Sequence, residues 1–203
     1  MQQISTMDAQ RLPQLSLSEY VKLEEETGIR YEFHDGYVFA MAGGSINHGL
    51  ISTRLIVLIG MGLLGAKRSC TVINNDVKLA IAVKNRYLYP DLSVVCGDIE
   101  RSNDLREAIG NPILIVEVLS KSTAAYDRGD KLYLYRHLPS LQEYLIVEQD
   151  KPHVDLYQRD GDTWRITTIT GLSSRLKLDS IEIELALADI YDKITFLPGP
   201  FIR

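Results

Sequence analysis

A chain of 203 residues, 45% apolar and 24% charged, can bury one core and is neither disordered, collagen-like nor an extended coiled coil. Its net charge of −5 excludes a protein that coats nucleic acid nonspecifically, because phosphate binding requires concentrated Lys and Arg, so any nucleic-acid role rests on a local basic patch. The apolar run Leu55 to Leu64 is interrupted by Gly60, Met61 and Gly62, and Met1 to Gln14 is polar without a secretion pattern, so a cytoplasmic protein with no membrane partner is expected.

In chain order, residues 1–14 are expected to be a flexible N-terminus, 15–194 a single domain and 195–203 a tail. Ser16-Leu17-Ser18-Glu19 has the spacing of a capping box and predicts a short helix to about Glu26, stopped at Gly28. Asp35-Gly36 between two alternating runs predicts a hairpin over Tyr31 to Ala40, with Glu32 and His34 on one face of its first strand. Ser45 caps a helix from Ile46 to about Leu64, whose apolar positions recur at helical spacing, and His48 falls in its first turn. Strands follow at Cys70 to Ile73 and Asp76 to Val83, where alternation puts Lys78 on the polar face. Cys70 and Cys96 are expected as two buried thiols.

Two further strands, after Pro90-Asp91 and over Ile113 to Leu119, are apolar and β-branched, yet each carries a carboxylate, Asp91 and Glu117. Between them, Gly97 to Gly110 has room for one short helix. Ser122 or Asp127 then caps a helix over Arg128 to Leu138, ended by Pro139. Strands are predicted at Glu143 to Glu148, His153 to Gln158 and Trp164 to Ile169, and a closing helix at Leu185 to Lys193. The order of elements implies an α/β (α+β) fold: a mixed sheet flanked by helices, with additional antiparallel strands in the C-terminal third.

If the Asp91 and Glu117 strands are neighbours, their carboxylates converge and repel, which is costly without a cation. Oxygen ligands with open positions suit Mg²⁺, with Mn²⁺ as the alternative. The competing reading has Asp91 capping a turn and Glu117 paired with a basic residue. His48, at a helix N-terminus, is either a phosphate contact or a partly buried capping group. Lys84, Arg86, Lys67, Arg68, Arg128 and Arg136 are the cations available to follow a phosphate backbone.

Pro90-Asp91 followed on the next strand by Glu117-Val118-Leu119 resembles the PD-(D/E)xK nuclease signature. The wider set, Tyr31-Glu32, Asp35-Gly36, Asn111-Pro112, Glu117 to Ser120, Tyr126 to Lys131, Tyr144 and Val147, resembles the Uma family of restriction-endonuclease-like proteins. That resemblance implies a restriction-endonuclease-like fold and a metal-dependent DNA endonuclease, with Asp91, Glu117 and Glu32 as metal ligands. It also implies a homodimer, for which the strand-rich region after Leu141 is a candidate interface. The family pattern places a lysine two residues after the glutamate, where this chain has Leu119, so Lys131 (preferred) or Lys78 must take that role from elsewhere. The alternatives are a nuclease fold without strong activity, serving as a nucleic-acid-binding or protein-interaction module, and a hydrolase of small phosphate esters.

Overall fold

The computed structural model describes residues 14–41, 43–120 and 123–196. The expectations for residues 1–13, 197–203 and the cap Ser122 lie outside the described residues. Helix α1 (Leu17–Thr27) starts at the anticipated capping box: Ser16 Oγ accepts from Glu19 N at 3.3 Å, and the Glu19 carboxylate accepts from Ser16 N at 2.8 Å. Strands β1 (Tyr31–His34) and β2 (Tyr37–Ala40) flank Asp35 and Gly36, whose φ values of 52° and 96° are those a two-residue hairpin turn demands.

Helix α2 (Ile46–Gly65) is capped by Ser45, which accepts from His48 N at 3.1 Å. It buries Ile51, Leu55, Ile59 and Leu63, one per turn, and at roughly 1.5–3 kcal/mol each these anchors hold the helix in place. Strands β3 (Cys70–Asn74), β4 (Lys78–Ile81), β5 (Arg86–Leu88), β6 (Leu92–Cys96), β7 (Ala108–Ile109) and β8 (Leu114–Leu119) follow. Next come α3 (Ala124–Tyr126), a π-helical turn over Asp127–Lys131 and α4 (Leu132–Tyr135), then β9 (Glu143–Glu148), β10 (His153–Asp160), β11 (Thr163–Thr170), β12 (Arg175–Leu178), β13 (Ile183–Ala186) and α5 (Leu187–Ile190).

A five-stranded sheet runs β2-β1-β5-β4-β7, a six-stranded sheet runs β11-β10-β9-β8-β6-β3, and β12 pairs with β13. In the larger sheet β8 and β9 are parallel, joined by the helical crossover through α3 and α4, while the other neighbours are antiparallel. Along β8, Leu114, Val116 and Val118 pack under α2 and the β12–β13 hairpin, whereas Ile115 and Leu119 face Leu132, Tyr135 and Tyr144 on the other side. A third core joins α1 to the smaller sheet through Tyr20, Phe33 and Tyr87. The mixed α+β architecture and the added C-terminal strands are as anticipated.

Four local expectations are corrected. The interval after β6 holds the short strand β7, parallel to β4, where a helix was expected. The helix after β8 is broken into α, π and α turns. The closing helix shrinks to Leu187–Ile190, because Ile183–Ala186 pairs with Arg175–Leu178 as a hairpin that was missed. Finally, Cys70 and Cys96 are directly opposed in the β3–β6 register and form a disulfide.

Candidate active site

Pairing of β6 with β8 brings the two strand carboxylates together. Leu92 stands opposite Val116, so one step further along the same register Asp91 stands opposite Glu117. Asp91 lies just outside the ladder, and its Oδ2 accepts from Val118 N at 2.7 Å, taking the place of a backbone acceptor. The same oxygen lies 3.2 Å from His48 Nε2, at the start of α2. Gly44 leaves the room this ring needs, since a Cβ there would come within 2.8 Å of His48 Nδ1.

Lys131 reaches into the cluster from the π-helical turn. Its Nζ lies 3.0 Å from Glu117 Oε1, 3.3 Å from Glu32 Oε1 and 3.2 Å from Asp127 Oδ1. The Asp127 contact lacks hydrogen-bond alignment: Oδ1 is buried and accepts no hydrogen bond. A π turn widens the helix locally, and such turns recur at functional sites; Asp127 and Lys131, four residues apart, share one face of this turn, so Asp127 Oδ1 meets the Lys131 ammonium. Tyr135, one turn on, donates to Glu117 Oε1 at 2.6 Å, and the Tyr144 hydroxyl donates to the Asp127 carbonyl at 3.0 Å. On the hairpin side, His34 Nε2 and the Tyr126 hydroxyl each lie 3.3 Å from Glu32 Oε2 and 3.2 Å from one another.

Three carboxylates, those of Glu117, Glu32 and Asp127, thus surround one ammonium in a nearly dry site, with Glu117 only 3% exposed, and Asp91 stands across the register from Glu117. Burial pushes the Glu117 carboxyl up to about 8, helped by the charges of Asp127 and Asp91 and opposed by Lys131 and Tyr135. Burial also acts on Glu32, but Lys131 and His34 outweigh it and hold that carboxyl down at about 2. Lys131 is kept firmly protonated: burial works against the charge, and Glu117 and Glu32 more than restore it. The hydrogen bond to Asp91 raises His48 despite burial.

The structure brings Asp91, Glu117, Glu32 and Lys131 into one cluster. Lys78 is held elsewhere: its Nζ lies 2.7 Å from Glu24 Oε2, over the rings of Tyr20 and Tyr89, in the packing beneath α1. Leu119 lies on the same side of β8 as Glu117 but is packed among Leu132 and its neighbours, and the lysine that stands against Glu117 is Lys131, from the helical crossover. His48 faces Asp91 Oδ2. Asp127, His34, Tyr126 and Tyr135 were not anticipated. The helical spacing from Asp127 through Lys131 to Tyr135 is the signal that would have found two of them.

Among the described residues no three His, Cys, Asp or Glu side chains converge as a ready cage for a metal ion. The donors nevertheless fit a hard divalent cation, because Mg²⁺ takes one or two protein carboxylates and completes its shell with water and phosphate. Asp91 and Glu117 supply such a pair, and the excess of buried carboxylates is the charge a cation offsets.

This architecture is shared with a crystal structure described as a putative nuclease belonging to DUF820 from Anabaena variabilis. The TM-score is 0.69 at 17% identity, over 89% of this chain and 99% of that one, which places the chain in a nuclease-like fold. Two Synechocystis sp. proteins are similar in sequence. "Uncharacterized protein slr1290" is 42% identical over 186 residues, 91% of this chain and 95% of its own length. "Uncharacterized protein sll1609" is 33% identical over 170 residues, 83% and 95% respectively. Residues 17–188 match the family model Uma2, "Putative restriction endonuclease", and the chain belongs to that family.

Proposed function

We propose that the protein is a divalent-metal-dependent endonuclease that hydrolyses DNA phosphodiester bonds with a variant PD-(D/E)xK site, working in the cytoplasm as a homodimer. The observation that carries this reading is the position of Lys131 Nζ, 3.0 Å from Glu117 and 3.3 Å from Glu32, with Asp91 across the β6–β8 register from Glu117. A lysine from the crossover would thereby take the role that Leu119 cannot fill. Asp91 and Glu117 would hold Mg²⁺ or Mn²⁺, with Glu32 as a further carboxylate. The chemistry such an ion supplies when bound is polarisation of the phosphoryl oxygen and a lowered pKa for water.

The chain's own groups have distinct tasks. Lys131 is an ammonium and donates; it orients a water or steadies negative charge on the phosphate, and does not act as a base. Glu32 and Asp127 fix that ammonium, Tyr135 fixes Glu117, and His48 with Val118 N fixes Asp91. Of the cations expected to follow a phosphate backbone, Arg86 stands across from His34 in the β1–β5 register, next to the cluster. Arg68 and Arg128 are instead tied to Glu182 and to Glu148 with Asp155.

The second reading is a nuclease fold that binds without cutting, favoured by those internally paired arginines and the net charge of −5. Plasmid nicking with Mg²⁺ or Mn²⁺ separates the two. Wild-type protein should nick, Asp91→Ala and Glu117→Ala should abolish nicking, and Lys131→Ala should lose it while Lys78→Ala keeps it. Nicking that survives both carboxylate substitutions refutes the site, and its absence in wild-type protein under every divalent ion favours the binding module.

A further inference from the structure

Helix α2 carries a second apolar face, opposite the one in the core. Ile46, Leu50, Val57, Met61 and Leu64 are exposed, with Ile46 at 83%, Met61 at 66% and Leu64 at 81%. Scattered exposed aliphatics are ordinary; a continuous stripe about 27 Å long marks an interaction face. The pattern is also specific. Ile46, Leu50, Thr53, Val57, Gly60 and Leu64 follow one another at alternating steps of four and three, the a/d seam of a coiled coil, with Met61 alongside. Such a seam fits another helix.

The seam is complementary to itself. When two copies of α2 lie antiparallel about a two-fold axis midway between Thr53 and Val57, a and d positions alternate across the pair. Ile46 then meets Leu64, Leu50 meets Gly60, and Val57 meets Thr53. Leu50 faces the open notch at Gly60, where a Cβ would meet nothing within 4 Å, and at the axis Val57 and Thr53 are of matching size. A parallel pair would stack Leu50 on Leu50 and leave a void between two Gly60 residues. Charge does not oppose contact: in α2 Arg54 is paired with Asp192 at 3.0 Å and His48 with Asp91 at 3.2 Å, and neither belongs to the seam.

A lipid surface is the other occupant such a stripe could take, because α2 is long and apolar enough to cross a membrane by length and composition alone. Helices that lie on membranes carry Lys and Arg on the opposite face, however, and here that face is Ile51, Leu55, Ile59 and Leu63 in the core. We propose that a second copy of this chain docks on the exposed face, α2 against α2 in antiparallel register, forming an isologous dimer. Pairing thus falls on α2 and not on the strands after Leu141. The proposal rests on the functional reading only in that both call for two copies.

Sedimentation velocity on the full chain, from low to high micromolar, tests it without any cleavage: a monomer would remove the homodimer but leave phosphodiester hydrolysis, read by plasmid nicking, standing, and loss of nicking would leave the dimer standing. Wild-type protein should sediment as a dimer. Val57→Glu, which sets two like charges beside the axis, should weaken association at least about tenfold, or ~1.4 kcal/mol, with an unchanged circular dichroism melt. Leu64→Glu, in the exposed last turn, repeats the test should Val57→Glu fail to fold. Oxidation of Ile46→Cys/Leu64→Cys should give a covalent dimer that neither single variant gives. A wild-type monomer throughout the range, a Val57→Glu dimer as tight as wild type, or cross-linking by Ile46→Cys alone overturns the proposal. So does a monomer that floats with phosphatidylcholine–phosphatidylglycerol vesicles through the same residues.

Discussion

The Glu117→Gln substitution tests the electrostatics of the site directly, because it keeps the shape of the side chain and removes its proton equilibrium. Burial raises Glu117 from 4.5 to about 8. Between those values the folded chain holds a proton that the unfolded chain releases, so stability falls as pH rises through the window and levels off above it. At ~1.4 kcal/mol per unit the loss is on the order of 5 kcal/mol, a third or more of the stability of an ordinary domain. Glu32 acts oppositely: held at about 2, it contributes stability that is present above pH 4.5 and lost as pH falls toward 2. Urea unfolding in EDTA, followed by the single tryptophan, Trp164, at intervals from pH 5 to 8.5, measures the slope. Wild-type protein should lose stability across that range, and Glu117→Gln should be markedly flatter. Mg²⁺ binding requires the deprotonated carboxylate, so adding Mg²⁺ should stabilise wild type more at pH 8.5 than at pH 6, and Glu117→Gln little at either. Parallel pH curves for the two proteins would refute the assignment of the proton to Glu117.

Lys131→Met leaves Glu117, Glu32 and Asp127 buried without their cation and should cost ~3–5 kcal/mol in urea unfolding at pH 7, whereas Lys78→Met, whose partner Glu24 keeps bonds from Tyr20, Tyr89 and Tyr31 N, should cost about 1–3 kcal/mol. Equal losses would show that the two lysines occupy equivalent settings. Replacing both Cys70 and Cys96 by Ser opens a loop spanning 26 residues and should cost about 3 kcal/mol relative to oxidised wild type. Reduced wild type should then match the double variant, and a difference between them would separate the bond from the packing of the two side chains.

Where local rules govern, the chain can be read directly. The capping box at Ser16, the Asp35-Gly36 turn and the period of α2 depend on neighbours a few residues apart, and each forms where expected. The misreadings involve distant partners. Ile183–Ala186 has the apolar content of a short helix and becomes a strand because Arg175–Leu178 pairs with it. Cys70 and Cys96 are 26 residues apart, and only the β3–β6 register makes them opposite one another. Asp91 and Glu117 stand out as charges in apolar strands, whereas Asp127 and Tyr135 look like ordinary helix residues until the crossover sets Tyr135 on Glu117 and Asp127 beside the Lys131 ammonium.

The same cluster bears on why these charges exist. A buried ion pair usually contributes less than apolar side chains of equal volume, since desolvation offsets the attraction, and here three carboxylates share one lysine. Burial keeps the Glu117 carboxyl raised, against the pull of Lys131 and Tyr135. Each of these carboxylates is met by a side chain with a polar hydrogen: Tyr135 on Glu117, Tyr126 on Glu32, His48 on Asp91. Such an arrangement costs stability while fixing the direction of each carboxylate, and preorganised charge of that kind is what a site for a cation and a phosphate requires. The large cores on either face of the central sheet supply the stability that tolerates it. Lys131 then has a role no apolar residue could take, holding three carboxylates at fixed positions while remaining a donor itself.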